Sequence, residues 1–93
     1  GASFVREVEP GELVTIDEDG LRTQRFAPAR RKGCVFEYVY LARPDTTIHG
    51  RTVHEARVEM GRALAREHPV EADMVMPTPE SGTPAAIGYA AYR

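Results

Sequence analysis

Asp73-Met74-Val75-Met76-Pro77-Thr78-Pro79-Glu80-Ser81-Gly82-Thr83-Pro84-Ala85-Ala86-Ile87-Gly88-Tyr89-Ala90-Ala91 reads as a short apolar strand, a rigid loop and the opening of a helix. The prolines at 77 and 79 stiffen the loop. Thr83 followed by Pro84 has the form of an N-cap and a first helical residue, because proline gives up an amide that the first turn would leave unpaired. Loops at the carboxyl ends of strands form ligand crevices in α/β proteins. A helix start offers amides and the positive end of a dipole, which suits phosphate. Ser81, Gly82 and Thr83 place small side chains there, so a ligand could approach the backbone. The segment lacks the lysine of a P-loop and the three glycines of a dinucleotide loop. From pattern alone an ordinary strand-to-helix turn stays open beside a phosphate loop.

Upstream, Thr52-Val53-His54-Glu55 has capping-box spacing. Val53, Ala56, Met60, Ala63 and Leu64 then fall on one face at helical intervals, with Glu55, Glu59, Arg62 and Arg66 on the others. A helix is predicted over about 53–67, stopped by His68-Pro69 because the residue before proline avoids the α region. Cys34-Val35-Phe36-Glu37-Tyr38-Val39-Tyr40-Leu41 is dense in β-branched and aromatic residues and is predicted as a strand, with Tyr38 and Tyr40 on one half-buried face. Residues 27–33, Ala-Pro-Ala-Arg-Arg-Lys-Gly, suit a linker. Before them, Phe4–Val8, Leu13–Ile16 and Leu21–Phe26 alternate as three strands. They are separated by the turns Glu9-Pro10-Gly11-Glu12 and Asp17-Glu18-Asp19-Gly20, which together make an antiparallel meander. The fold class is therefore mixed: a β-meander followed by an α/β unit.

Composition is that of an ordinary globular chain, 42% hydrophobic and 28% charged over 93 residues. No apolar run is long enough to span a bilayer, and the first residues do not form a signal peptide. A net charge of −2 gives no reason to expect a nucleic-acid partner. The charge is uneven: residues 1–20 hold six acids and one base, whereas 22–32 hold Arg22, Arg25, Arg30, Arg31 and Lys32 and no acid. That basic stretch is either a solvated linker or a phosphate- or acid-facing patch. The single cysteine, Cys34, excludes an internal disulfide and reads on pattern alone as a small buried hydrophobe. His49, His54 and His68 lack metal-ligand spacing and read as solvated; Met60, Met74 and Met76 read as core. The absence of an initial methionine and a last helix cut within its third turn lead us to expect a piece of a longer protein.

Three segments resemble the amidophosphoribosyltransferase family. Residues 4–13, Phe-Val-Arg-Glu-Val-Glu-Pro-Gly-Glu-Leu, are similar to the close of its glutaminase domain. Residues 34–45, Cys-Val-Phe-Glu-Tyr-Val-Tyr-Leu-Ala-Arg-Pro-Asp, are similar to the entry into its phosphoribosyltransferase domain, and residues 79–90 carry the third match. The resemblance covers nearly the whole chain in family order. It implies that residues 1–26 end an N-terminal-nucleophile (αββα) glutaminase domain, 27–33 link, and 34–93 begin a type I phosphoribosyltransferase α/β domain. It implies an enzyme that takes glutamine, phosphoribosyl pyrophosphate and water to 5-phosphoribosylamine, glutamate and pyrophosphate, the first step of de novo purine synthesis. A cytoplasmic homo-oligomer with small-molecule substrates, and with neither membrane nor nucleic-acid partners, follows from the same likeness.

The resemblance also changes the reading of single residues. Cys34 matches the first of four cysteine ligands of a [4Fe–4S] cluster, and Ser81 matches a position that helps hold Mg²⁺ beside phosphoribosyl pyrophosphate, with Gly82 and Thr83 in the substrate-binding loop. The family's nucleophilic cysteine and its paired aspartates have no counterpart here, so no catalytic residue is assigned and the 93-residue piece alone is expected to be inactive and marginally folded. The alternatives are a non-catalytic interaction or scaffold domain, and a related phosphoribosyltransferase lacking the glutaminase half.

Overall fold

The computed structural model describes residues 1–92, which form two compact units, one of residues 1–33 and one from Cys34 onward. In the first, β1 (Glu12–Asp17) and β2 (Gly20–Arg25) form an antiparallel hairpin in which Asp17 pairs with Gly20. The turn needs Gly20, whose φ is 110°, and the Asp17 carboxylate accepts the Asp19 amide at 3.1 Å. The Glu9–Glu12 turn forms as expected: the Glu12 amide donates to the Glu9 carbonyl at 3.0 Å and Gly11 has φ 79°. The expected first strand does not form. Residues 4–8 have no ladder partner among the described residues, so the meander reduces to a two-stranded hairpin. Ion pairs link residues 4–8 to the rest of the unit instead: Arg6 clasps Glu12 and Arg31 reaches Glu7. Outside them, Arg25 and Arg31 meet Glu9, and Arg22 meets Asp17. The basic stretch is thus largely spent on the acidic one.

The second unit is built on α1 (Val53–Glu67), which starts on the capping box read from sequence: the Thr52 hydroxyl accepts the Glu55 amide at 3.2 Å, and the Glu55 carboxylate accepts the Thr52 amide at 3.4 Å. A small hairpin precedes it, β3 (Thr47–Ile48) and β4 (Arg51–Thr52), turned by His49 and Gly50, both at positive φ as a type I′ turn requires. The sequence reading missed it. α2 (Thr83–Ala90) packs across α1. The approach is close because two glycines permit it. A Cβ on Gly61 would lie 1.9 Å from the Ala85 carbonyl oxygen, and one on Gly88 would lie 1.9 Å from that of Val58.

The buried face of α1 is Val53, Ala56, Arg57, Gly61 and Ala65. It is rotated from the expected face, leaving Met60 and Leu64 exposed. Other expectations fail as well. The stretch Cys34–Leu41 is not extended: residues 35–41 are helical, with a π-helical turn at Glu37–Leu41 in which the Ala42 amide donates to the Glu37 carbonyl at 3.0 Å. Tyr38 and Tyr40 therefore do not share a face; Tyr40 stacks on Phe36 one turn back, ring centres 5.5 Å apart. Residues 73–76 are not paired as a strand among the described residues, and Met74 and Met76 are 75% and 81% exposed rather than core. Cys34 is exposed, which removes the buried-hydrophobe reading. No helix among the described residues is long and apolar enough to cross a membrane.

Candidate functional site

The loop of residues 77–82 folds back on itself before α2 begins. The Gly82 amide donates to the Thr78 carbonyl at 3.3 Å and the Thr83 amide to that of Glu80 at 3.1 Å, while the Pro79–Glu80 peptide is cis. Gly82, not Thr83, is the N-cap, and no side chain caps the helix. Pro84 therefore stands second in the helix rather than first, still within the opening turn, and is buried. Any side chain at 82 would press on the loop, since a Cβ would come within 2.8 Å of the Thr78 oxygen. The Gly82 and Thr83 amides are thus engaged within the loop, and the groups offered to a ligand are the hydroxyls of Ser81 and Thr83 at the positive end of the helix.

Ser81 opens onto a cleft of about 460 Å³ whose walls also include Tyr40, Ala42, Pro44, Arg57 and Glu80. One wall is the π-helical turn and the residues after it; the other is the loop. Arg57 lies at their base. It is 4% exposed and donates through Nε to the Tyr38 carbonyl at 2.5 Å and through Nη2 to the Ala42 carbonyl at 2.9 Å. Among the described residues it has no carboxylate partner. Sequence reading missed Arg57, although it stands four residues after Val53 on the buried side of the helix, because a charged side chain is not counted as core. Arg43, which also lines the cleft, pairs with Asp45 through two bonds of 3.0 and 3.1 Å, and its guanidinium holds the Asp45 carboxyl below its ordinary range.

The remaining candidates are dispersed. Cys34 begins the helical stretch, its carbonyl accepting the Glu37 amide at 3.2 Å, and its thiol is exposed. His49, His54 and His68 are exposed at a turn, the first turn of α1 and its end. Among the described residues no three His, Cys, Asp or Glu side chains converge as a metal site would require. The donors that the chain offers are nonetheless of the right kind. An exposed thiol can supply one soft ligand of four to an iron–sulfur cluster, and a hydroxyl beside Glu80 can supply hard oxygen to Mg²⁺ held mainly by phosphates. Neither set is complete within these residues.

No protein-family model matches the chain. Individual relatives do. The chain is 73% identical over 90 residues to the amidophosphoribosyltransferase of Mycobacterium tuberculosis (strain ATCC 25618 / H37Rv), covering 97% of this chain and 17% of that protein. It is 71% identical to that of Mycobacterium leprae, again over 97% of this chain and 16% of the relative. It is 48% identical over 91 residues to that of Bacillus subtilis, covering 97% and 19%. A solved glutamine phosphoribosylpyrophosphate amidotransferase from Bacillus subtilis, complexed with ADP and GMP, superposes with a TM-score of 0.75 at 47% identity, over 95% of this chain and 20% of that one. A structure described as the allosteric regulatory enzyme of purine biosynthesis gives the same TM-score and identity over 95% and 19%. These matches run through both units and keep the mixed α/β architecture, and the chain spans about a sixth to a fifth of the length of the relatives it matches. By sequence and by fold, the chain belongs to the amidophosphoribosyltransferase family, as a segment of it.

Proposed function

We propose that this chain works within a protein that hydrolyses glutamine and places the released ammonia on C1 of phosphoribosyl pyrophosphate. The C1–oxygen bond to pyrophosphate breaks as the carbon–nitrogen bond forms, giving 5-phosphoribosylamine, glutamate and pyrophosphate. One observation carries this reading: a match of 73% identity over 97% of the chain to a protein of that name. On this reading residues 1–26 close the N-terminal-nucleophile glutaminase domain, 27–33 link, and residues from 34 onward open the type I phosphoribosyltransferase domain.

The segment's own contribution is to the second half-reaction. Ser81, Gly82 and Thr83 sit where α2 presents its positive end, and their small side chains let phosphate oxygens come near. The Ser81 hydroxyl would add one oxygen to a phosphate-bound Mg²⁺, which when present neutralises charge on the departing pyrophosphate. Cys34 would supply one thiolate to a [4Fe–4S] cluster whose other ligands lie outside this chain. A cytoplasmic homo-oligomer acting on small molecules, without nucleic acid or membrane, completes the proposal.

Pyrophosphate release by the protein that contains this segment tests it. Release should depend on phosphoribosyl pyrophosphate and be supported by glutamine or by ammonia. Absence of release with both nitrogen donors rejects the proposal.

A further inference from the structure

We infer that Arg57 is a positioning residue for the phosphoribosyl pyrophosphate cleft, holding the wall that faces Ser81; the inference rests on the proposed function. Arg57 is buried, yet its partners are two neutral carbonyls, those of Tyr38 and Ala42, and no carboxylate among the described residues neutralises it. Burying a charge is costly unless hydrogen bonds and a counter-charge offset it, and the two carbonyl bonds supply the offset. Here they bracket the π-helical turn from both ends, fixing the stretch that continues through Ala42 and Pro44 along the cleft. The start of α1 binds the next part of that wall: the His54 amide donates to the Pro44 carbonyl at 3.0 Å and the Val53 amide to that of Thr46 at 2.9 Å. One turn after Arg57, Gly61 seats α2 through the Ala85 backbone. α1 is thus the common base of both walls, with Arg57 serving one and Gly61 the other.

This division of labour separates positioning from general support of the fold. Arg57→Met keeps the length of the stem but removes the donors; Arg57→Lys keeps the charge but cannot span both carbonyls. In the intact enzyme with ammonia as nitrogen donor, both substitutions should raise KM for phosphoribosyl pyrophosphate by about 10- to 100-fold, in keeping with the cost of misplacing groups around a reacting centre. Methylguanidinium should partly restore the Met variant. Amide hydrogen exchange in the Met variant should quicken across residues 37–42 and stay unchanged across 83–90. An unchanged KM, or exchange that quickens equally across 37–42 and 83–90, overturns the inference and leaves the proposed function standing. If the unsubstituted protein releases no pyrophosphate, both fall.

Discussion

Glu12 shows how a single side chain organises a segment that has no secondary structure. Its carboxylate is only 8% exposed and accepts both terminal nitrogens of Arg6, at 2.6 and 2.8 Å, and the Glu9 amide at 2.9 Å. The Arg6 hydrogen bonds first, and the Glu9 amide second, pull its pKa from 4.5 to about 2. A folded pKa below the unfolded one means that the stabilisation is complete above about pH 4.5 and is lost as pH falls toward 2. The Glu9 amide should therefore shift and exchange faster over that window, followed by NMR, and Glu12→Gln should abolish the titration. At the cleft, Ser81→Ala should weaken phosphoribosyl pyrophosphate binding by about 10-fold, the scale of one hydrogen bond to a charged group. Calorimetry on the intact enzyme measures it, and unchanged affinity would remove Ser81 from the site.

Among the elements, α1 was legible because every signal for it is local. Its cap, its apolar spacing and its proline stop all lie between Thr52 and Pro69. Glu59 and Arg62, three residues apart on its surface, pair at 3.3 Å. Thr52→Ala should cost about 1 kcal/mol. Gly61→Ala and Gly88→Ala, which force backbone apart between α1 and α2, should each cost about 1–3 kcal/mol or more. Denaturant unfolding of the intact protein checks all three, and the order should be glycines above threonine.

The stretch Cys34–Leu41 was misread for a physical reason. β-branched and aromatic residues favour strands chiefly through packing on a neighbouring strand. No such neighbour is present among the described residues, whereas Arg57, nineteen residues away, rewards a helical turn by bonding the Tyr38 and Ala42 carbonyls. Residues 73–76 illustrate the converse: an apolar run is a strand only where a ladder exists to receive it. The loop at 77–82 was placed correctly, but its folded-back amides depend on the Thr78 and Glu80 carbonyls, which no composition rule reveals.

For the whole molecule, the core is small. Val53, Ala56 and Ala65 are its buried hydrophobic residues among those described, while Phe4, Ile16, Leu21 and Phe26 in the first unit remain exposed. Each of those side chains would stabilise the structure by about 1.5–3 kcal/mol if covered, and a two-stranded hairpin is marginal without cover. The 93-residue chain alone should accordingly lack a sharp thermal transition by circular dichroism and should not turn over substrate. A cooperative melt of the monomer would contradict that expectation.

On the proposed function the two half-reactions meet at this scale, and isotope tracing follows the atom that would join them. With glutamine labelled with ¹⁵N at the side-chain amide, the protein containing this segment should deliver the label to C1 of the phosphoribosyl product, one equivalent for each pyrophosphate released. Glutamate formed without label on the ribose, or a ribose product whose nitrogen comes from elsewhere, would contradict the account.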